Sequence, residues 1–276
     1  MPDQEPRNRL GGMALANGLL VHGPVHWAAA VRDRDGTVLV ASGRKPRLAA
    51  GPFRALADAP LVRGLIRLGE AMAVVPVARR GLPQARLAVE DRAVGATVVA
   101  SLIVAAISRR RVGSVLAQEA IGALSSLAPA LVAVRRSEAA IWHGVEHKSI
   151  AAYEAGGADG LAHAADQAKE HDRCGSNLIL PLLVTTTLAN AAARAVGGRR
   201  RMLTRSGAAA VAVGAAFEIF AFSARRPRHP VSRTIHAVGH ALQSGFSTRE
   251  PGERDLSVGR AAMDELLRAE ARPDRG

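Results

Sequence analysis

The chain has 276 residues, 48% of them apolar but only 3% aromatic, and its formal net charge is +13. A soluble core of this size usually contains more aromatic side chains, whereas membrane helices that pack through small residues do not need them. The mean hydropathy of +0.07 is high for a chain in which 22% of residues are charged. The composition therefore argues against an ordinary soluble globular enzyme and favours a membrane protein with segregated apolar and charged stretches.

Basic residues lie in clusters that flank the apolar stretches, as Lys and Arg do in membrane proteins. We expect no nucleic-acid partner, because the sequence has no basic stripe with interleaved aromatic residues. The single cysteine, Cys174, excludes an intrachain disulfide, and the polar residues 1–9 predict no cleavable signal peptide. The basic clusters are Arg79-Arg80, Arg109-Arg110-Arg111, Arg135-Arg136, Arg199-Arg200-Arg201 and Arg225-Arg226.

The N-terminal region, residues 1–59, is predicted to be rich in β-structure. Residues 10–42 contain short apolar runs that are separated by glycines. His26–Val31 and Thr37–Ala41 flank the dipeptide Asp35-Gly36, which is typical of hairpin turns. The sequence therefore predicts a small β-hairpin region before the helical part of the chain.

A charged helix is predicted to follow. Residues 43–59 are rich in Pro, Gly and Arg and predict a loop. Within the segment 60–91, Leu61–Val77 has a helical pattern but carries Arg63, Arg67 and Glu70. These charges argue against a membrane span, so we interpret the helix as interfacial or packed against the other helices.

Four apolar segments approach the length of about 20 residues that a helix needs to cross the hydrocarbon layer. Buried helices of a soluble all-α protein are the alternative interpretation. The segments occur in pairs, which suggests two hairpins, the first formed by segments one and two and the second by segments three and four. The segments are Ala93–Ser108, Val112–Val134, Asn177–Val196 and Ala208–Ser223.

The predicted fold is a mainly α membrane protein with about four transmembrane helices and a small N-terminal β-hairpin region, α+β overall. The transmembrane hairpins cover 92–134 and 177–224, and a polar segment, 135–176, separates them. A polar tail, 225–276, contains an amphipathic helix over Asp255–Ala269. The N-terminal region, the polar segment and the tail are expected on one side of the membrane. The tight basic turn Arg109–Arg111 favours cytoplasmic hairpin tips, whereas the many basic residues of the larger polar parts favour the opposite orientation. Of these two orientations we favour the one that places the larger polar parts in the cytoplasm, which also suits an unpaired cysteine.

The strongest chemical signal is His143-Gly144-Val145-Glu146-His147, an H-x-x-E-H pattern. On a helix, the two histidines lie one turn apart and can bind one cation, with Glu146 beside them as a general base or a further ligand. The pattern occurs in inverted zinc peptidases, whose third ligand is a downstream glutamate, and Glu218 has such a position. The membrane-like surroundings argue against membership of that group. Histidines that only form hydrogen bonds at a helix interface are the alternative.

A second signal, His171 and Cys174, lies directly before the third apolar segment. Imidazole and thiolate are both good zinc ligands, so His171 and Cys174 would complete a His3Cys set with His143 and His147. Glu154 extends the same helical face. A closed set of four ligands indicates a structural metal, whereas three ligands and a water indicate a catalytic one. An inert buried thiol is the alternative interpretation of Cys174.

Two carboxylates, Glu119 and Glu218, stand inside apolar segments. An ionisable group at membrane depth is costly unless it is paired, so each is a functional candidate. The alternative is that each carboxylate pairs with an arginine. His236 and His240 have helical i, i+4 spacing, but surface or packing roles are favoured for them.

Short motifs occur along the chain in an order that is specific in combination. They are Gly11-Gly12-Met13-Ala14-Leu15-Ala16-Asn17-Gly18, Gly23-Pro24, Pro60-Leu61-Val62-Arg63-Gly64, His143-Gly144-Val145-Glu146-His147-Lys148, Tyr153-Glu154, His171-Asp172-Arg173-Cys174-Gly175, Phe217-Glu218, Leu242-Gln243 and Ser247-Thr248-Arg249-Glu250-Pro251. In these motifs the chain resembles the YqhQ-like family of bacterial multi-pass membrane proteins, a domain of unknown function whose members are predicted metal-dependent enzymes. The resemblance implies a membrane location but no substrate. Asn17 stands where the family has Glu, and because an amide is not titratable, this puts an acid/base role there in doubt. Met13, His22 and Asp172 also differ from the residues that the family usually has at these positions.

The first functional hypothesis is a metal-dependent membrane enzyme, a hydrolase. His143, His147 and either His171 or Cys174 would hold a divalent cation such as zinc, and Glu146 would take the proton of a metal-activated water. Lys148 and Arg249 would hold an anionic group of a lipid or peptide substrate at the membrane surface.

Two other hypotheses compete with the enzyme. One is a non-catalytic membrane assembly or scaffold factor, with a structural metal or polar cluster and surfaces for a membrane protein partner or a second copy of the chain. The other is a transporter that uses Glu119 and Glu218, which predicts a hydrated path between these two carboxylates.

Overall fold

The computed structural model of the protein describes residues 10–47, 57–195 and 201–272. The polar residues 1–9, most of the predicted loop and the basic pair Arg199-Arg200 lie outside the described residues.

Four strands near the N-terminus form an antiparallel sheet in the order β1-β2-β3-β4. The predicted hairpin is present as β3 and β4, which pair from His26↔Arg44 to Arg32↔Val38. Gly36 in the connecting turn has φ +89°, a conformation that glycine adopts without steric cost. The strands are β1 Gly11–Ala14, β2 Gly18–His22, β3 His26–Arg32 and β4 Val38–Arg44.

Helices make up most of the remaining described residues. Short 3-10 turns lie at 88–90, 161–166 and 175–178, and a π-helical segment covers Gln243–Ser247. The helices are α1 Val62–Gly81, α2 Arg92–Arg111, α3 Val115–Ser125, α4 Ala128–Arg136, α5 Ala139–Gly160, α6 Ile179–Ala195, α7 Arg201–Arg225, α8 Pro230–Leu242 and α9 Glu253–Glu270.

Four helical stretches are long and apolar enough to cross a membrane, in agreement with the four predicted segments. The buried share of these stretches ranges from 6% in the second to 22% in the fourth. Large apolar side chains are therefore exposed, for example Leu102 to 66% and Leu188 to 58%. A soluble helix would bury such an apolar face, so the exposure is compatible with a bilayer. The stretches are Arg92–Arg111, Val115–Arg136, Gly175–Arg194 and Ser206–Arg225.

The second of these stretches differs from the single helix that was predicted. It consists of α3 and α4, which meet at Ser126 and Leu127. Pro129 lies in the first turn of α4, where its missing N–H is tolerated because this position has no intrahelical acceptor. The break therefore occurs where a proline can start a new helix.

The sheet is covered on both faces, which explains why β2 and β3 are almost continuously apolar. Ala28 and Ala30 of β3 lie in one core with Trp142 and Val145 of α5 and with the buried face of α9. Their neighbours Trp27, Ala29 and Val31 point to the other face and pack with α1, because successive side chains alternate across a strand. The N-terminal sheet, the polar segment and the C-terminal helix thus share one core.

Asn17 fastens the β1–β2 turn to the chain that follows α1. Its buried amide nitrogen donates to the carbonyls of Arg32 and Gln84 at 3.0 and 3.1 Å, and its oxygen accepts from the Arg86 N–H at 3.0 Å. An amide supplies this combination of two donor bonds and one acceptor bond, which a carboxylate cannot. At this position the side chain therefore has a structural role.

Replacing Asn17 with glutamate should lower the free energy of unfolding by about 2–4 kcal/mol, because two buried carbonyls lose their donors and face a carboxylate. Chemical denaturation of the purified protein measures this change. Gln84→Glu is the matched control, since the exposed Gln84 contributes only its backbone carbonyl to the contact. Equal stability of the two variants would contradict the role assigned to Asn17.

Candidate metal centre

Helix α5 carries the H-x-x-E-H pattern, as the spacing predicts. The rings of His143 and His147 lie on one face with their centroids 4.3 Å apart. Trp142 and Val145 anchor a different face in the core. Gly144 allows the backbone of residue 249 to approach closely, because a Cβ at Gly144 would lie 2.2 Å from the Arg249 carbonyl oxygen. The helix is therefore fixed from several sides while the histidines face a cavity.

Backbone carbonyls set the orientation of both imidazoles. The Nδ1 atom of His143 lies 2.8 Å from the Ser247 oxygen, and Nδ1 of His147 lies 2.5 Å from the Lys169 oxygen. A carbonyl can only accept, so each Nδ1 carries a proton and donates it. In the neutral imidazole this leaves the Nε2 lone pair available. A hydrogen bond from the other ring nitrogen to a carbonyl is typical of metal-binding histidines.

The thiol of Cys174 lies beside the His143 imidazole. Its Sγ atom is 3.2 Å from His143 Nε2, and ligand atoms of His143, His147 and Cys174 all lie within 4.8 Å of one another. Cys174 caps the 3-10 turn that leads into α6, where the Ser176 N–H points to Sγ at 3.5 Å. Two imidazole nitrogens and a thiolate are ligands that suit zinc, so this buried cluster could hold a metal ion.

A cavity of about 440 Å³ opens beside the cluster and is lined by β1, α5 and residues 171–176. The Glu146 carboxyl lines this cavity, and burial raises its pKa, while the nearby His143 and His171 act in the opposite direction. A Cβ at Gly12 would lie 2.7 Å from Glu146 Oε1. Glycine at this position of β1 therefore leaves room for the carboxyl group.

His171 forms part of the cavity wall. Its ring centroid is 5.7 Å from that of His147. Its Nδ1 accepts the Arg173 N–H at 3.2 Å, and its Nε2 lies 3.4 Å from Glu154 Oε2. Burial lowers the pKa of His171, although Glu146 and Asp172 oppose this shift. Since both ring nitrogens have partners, His171 is placed next to the cluster with neither lone pair directed into it.

The structure does not bring Lys148, Arg249 or Glu218 to the cavity wall. The Lys148 ammonium is buried, donates to the carbonyls of Ala165 and Gln167 at 2.9 and 2.6 Å, and pairs with Glu250. The Arg249 side chain is exposed. On α7, Glu218 accepts a hydrogen bond from Arg63 Nε at 2.8 Å. Lys148 and Glu218 therefore have partners elsewhere, and the Arg249 side chain lies in solvent-exposed surroundings.

Three polar residues that sequence reasoning did not assign to the site help to build it. His22 lines the cavity opposite α5, and burial lowers its pKa. Gln243 is fully buried; its amide oxygen accepts the His171 N–H at 2.7 Å, and its nitrogen donates to Ser176 Oγ at 2.7 Å. Asn177 donates to the Asp172 carbonyl at 2.7 Å. The only sequence signal for Gln243 was its place in a short motif.

Replacing Gln243 with methionine should lower the free energy of unfolding by about 2–3 kcal/mol, because a buried N–H and a buried hydroxyl lose their partner. Since this amide positions the loop that carries Cys174, zinc affinity should also fall by roughly 10- to 100-fold. Denaturation and competition with a zinc-chelating dye measure the two effects. Gln167→Met serves as the control. Gln167 is half-buried, and within the described part of the chain only its backbone groups form hydrogen bonds. Identical zinc affinities would contradict the positioning role.

Comparison with known proteins adds a family resemblance without an activity. Residues 134–269 match the model of a protein family of unknown function, DUF1385. The chain is similar to the uncharacterized protein YqhQ of Bacillus subtilis (strain 168), with 28% identity over 130 residues. The match covers 47% of this chain and 41% of that protein, so it spans less than half of the relative. No solved structure matches the chain significantly. The two matches support the resemblance to the YqhQ-like family.

Proposed function

We propose that this chain is a multi-pass membrane enzyme of the YqhQ-like type, a hydrolase in which His143, His147 and Cys174 hold a zinc ion. One observation carries this proposal: possible ligand atoms of His143, His147 and Cys174 lie within 4.8 Å of one another, beside a cavity that Glu146 lines. The Nδ1 atom of each imidazole is bonded to a backbone carbonyl. Ordinary packing histidines would not need this combination of orientations.

The surroundings of the cluster support a location at the membrane surface. Cys174 directly precedes the stretch Gly175–Arg194, one of the four that could span a bilayer. The polar segment that carries α5 lies between two pairs of such stretches and packs with the sheet and α9. We place the site on the cytoplasmic side, where a lone thiol stays reduced. The substrate is then a membrane-surface lipid or peptide.

The roles of the protein groups follow from their positions. When bound, zinc supplies Lewis acidity that produces a water nucleophile at neutral pH. His143 and His147 present Nε2, and the carbonyls of Ser247 and Lys169 keep them in this tautomer. Glu146 lies in the same cavity and accepts the proton of the attacking water at its carboxylate oxygen.

A non-catalytic factor with a structural metal is the second candidate. Structural zinc sites are usually closed by four protein ligands. Among the described residues, the cluster offers three, and a cavity adjoins it, so the geometry favours an open coordination position.

The transporter hypothesis depends on the two carboxylates inside the apolar stretches, and each of them pairs with an arginine. Glu119 pairs with Arg194 at 2.7 Å, and Glu218 pairs with Arg63. These ion pairs match the structural interpretation of both carboxylates.

Hydrolysis in heavy-oxygen water tests the proposed function without knowledge of the substrate. Purified protein is loaded with zinc and incubated with the lipid and peptide fractions of bacterial membranes. A hydrolase transfers heavy oxygen into a product, which mass spectrometry detects. We expect labelled product from the zinc-loaded protein, loss of the label after treatment with a chelator, and recovery when zinc is restored. Label that is unaffected by the chelator, or no label above the protein-free control, would count against a metal-dependent hydrolase.

A further inference from the structure

An apolar groove runs between α2 and α4 on the surface formed by the apolar stretches. Its volume is about 790 Å³, which is within the range of small-molecule sites. Ala96 and Ala100 of α2 form one wall, and Leu131 and Val132 of α4 form the other. Small alanines opposite larger side chains leave a depression that the protein itself does not fill.

One end of the groove is basic. Arg135 and Arg136 lie in the last turn of α4 and line the groove together with Phe246. Arg136 pairs with Asp91 at 3.2 Å. The Arg135 guanidinium lies 4.9 Å from the centre of the Phe246 ring, and no carboxylate of the described residues forms a salt bridge with it. A stacked guanidinium keeps its N–H edge free for a phosphate.

We propose that this groove binds an anionic glycerophospholipid, with one acyl chain between α2 and α4 and the headgroup phosphate on Arg135. The two parts of the groove match the two parts of such a lipid. Its apolar walls belong to stretches that could span the bilayer, while its arginines stand at the ends of these stretches, where headgroups lie. Basic residues at this depth attract anionic lipids in particular.

The groove is joined to the candidate metal centre by the π-helical segment Gln243–Ser247. Phe246 of this segment lines the groove, while the carbonyl of Ser247 accepts from His143 and the side chain of Gln243 accepts from the His171 N–H. A lipid that packs on Phe246 and Arg135 stabilises the segment that orients the zinc ligand. This coupling, unlike lipid binding itself, rests on the proposed metal function.

Native mass spectrometry of the detergent-purified protein tests lipid binding, with phosphatidylglycerol and phosphatidylcholine as probes. Ala100→Trp fills the groove and Arg135→Gln removes its cation. Each variant should reduce retained phosphatidylglycerol by about fivefold. Ala106→Trp places the same indole on an exposed part of α2 outside the groove, and Arg109→Gln removes a guanidinium at the opposite end of α2. Both controls should retain the lipid as the parent does.

Equal retention by all four variants, or equal retention of the two lipids by the parent, would overturn the proposed lipid site. The coupling is measured as zinc affinity in nanodiscs of either lipid. We expect binding about fivefold tighter in phosphatidylglycerol and no such difference in Arg135→Gln. Equal affinities in both lipids would overturn the coupling alone. Failure to bind zinc in either lipid would overturn the metal centre. The lipid-retention data would in that case still show whether the groove binds phosphatidylglycerol.

Discussion

Replacing His143 and His147 together with alanine should reduce bound zinc from roughly one ion per chain to none. The variant loses both nitrogen ligands and keeps only the Cys174 thiol of the cluster. Removal of an outer-shell partner alone typically costs 10- to 100-fold in metal affinity, so the loss of two direct ligands should exceed this range. Elemental analysis after purification and a chelator competition titration give the two quantities.

A second histidine pair provides a matched control for this experiment. His236 and His240 have the same i, i+4 spacing on α8, and both face Asp172, with His240 Nε2 at 2.9 Å from its carboxylate. Their double alanine variant removes the same chemical groups but leaves the Cys174 cluster intact, so it should keep the zinc of the parent. Equal zinc contents in both double variants would remove the ligand assignment. Circular dichroism shows whether each variant is folded.

Local sequence patterns predicted those parts of the site that depend on a single element. His143, Glu146 and His147 lie on one helix, and helical spacing alone places the two imidazoles on the same face. The hairpin at Asp35-Gly36 follows from the turn chemistry of adjacent residues in the same way. The apolar stretches were found because about 20 consecutive residues carry their signal.

Contacts between distant segments could not be predicted residue by residue. Lys148 directly follows His147 in sequence, but the helix turns its side chain by about 100°, and it points to the carbonyls of 165 and 167 rather than into the cavity. His171 has the right chemistry, but its nitrogens are taken by Arg173 and Glu154. Which nitrogen of a histidine is available depends on tertiary contacts that spacing does not encode.

The contribution of β1 was also hidden from sequence reasoning. Two adjacent glycines predict a flexible or closely packed strand, but they do not show which group approaches them. In the folded chain Gly11 lies against His22 and Gly12 against Glu146. The sheet thus does more than support α5, because its first strand forms a wall of the cavity where the carboxyl group lies.

Replacing Glu146 with glutamine should abolish hydrolysis while zinc remains bound. The amide has nearly the same shape and fits beside Gly12, but it cannot accept a proton from water, so the heavy-oxygen signal should fall by about 100-fold or more. Zinc content should equal that of the parent, because the three ligands of the cluster are unchanged. Glu154→Gln is the control: Glu154 lies outside the cluster against His171, and its variant should keep most of the signal.

The combination of readouts separates the two leading functions. A catalytic site predicts that Glu146→Gln loses turnover but keeps both zinc and thermal stability. A structural site with Glu146 as a fourth ligand predicts that the same variant loses zinc, and that stability falls with it, because metal binding is coupled to folding. If labelled product persists at the parent's level in Glu146→Gln, the carboxyl group is not the proton acceptor. The hydrolytic mechanism would then need a different base among the residues that line the cavity.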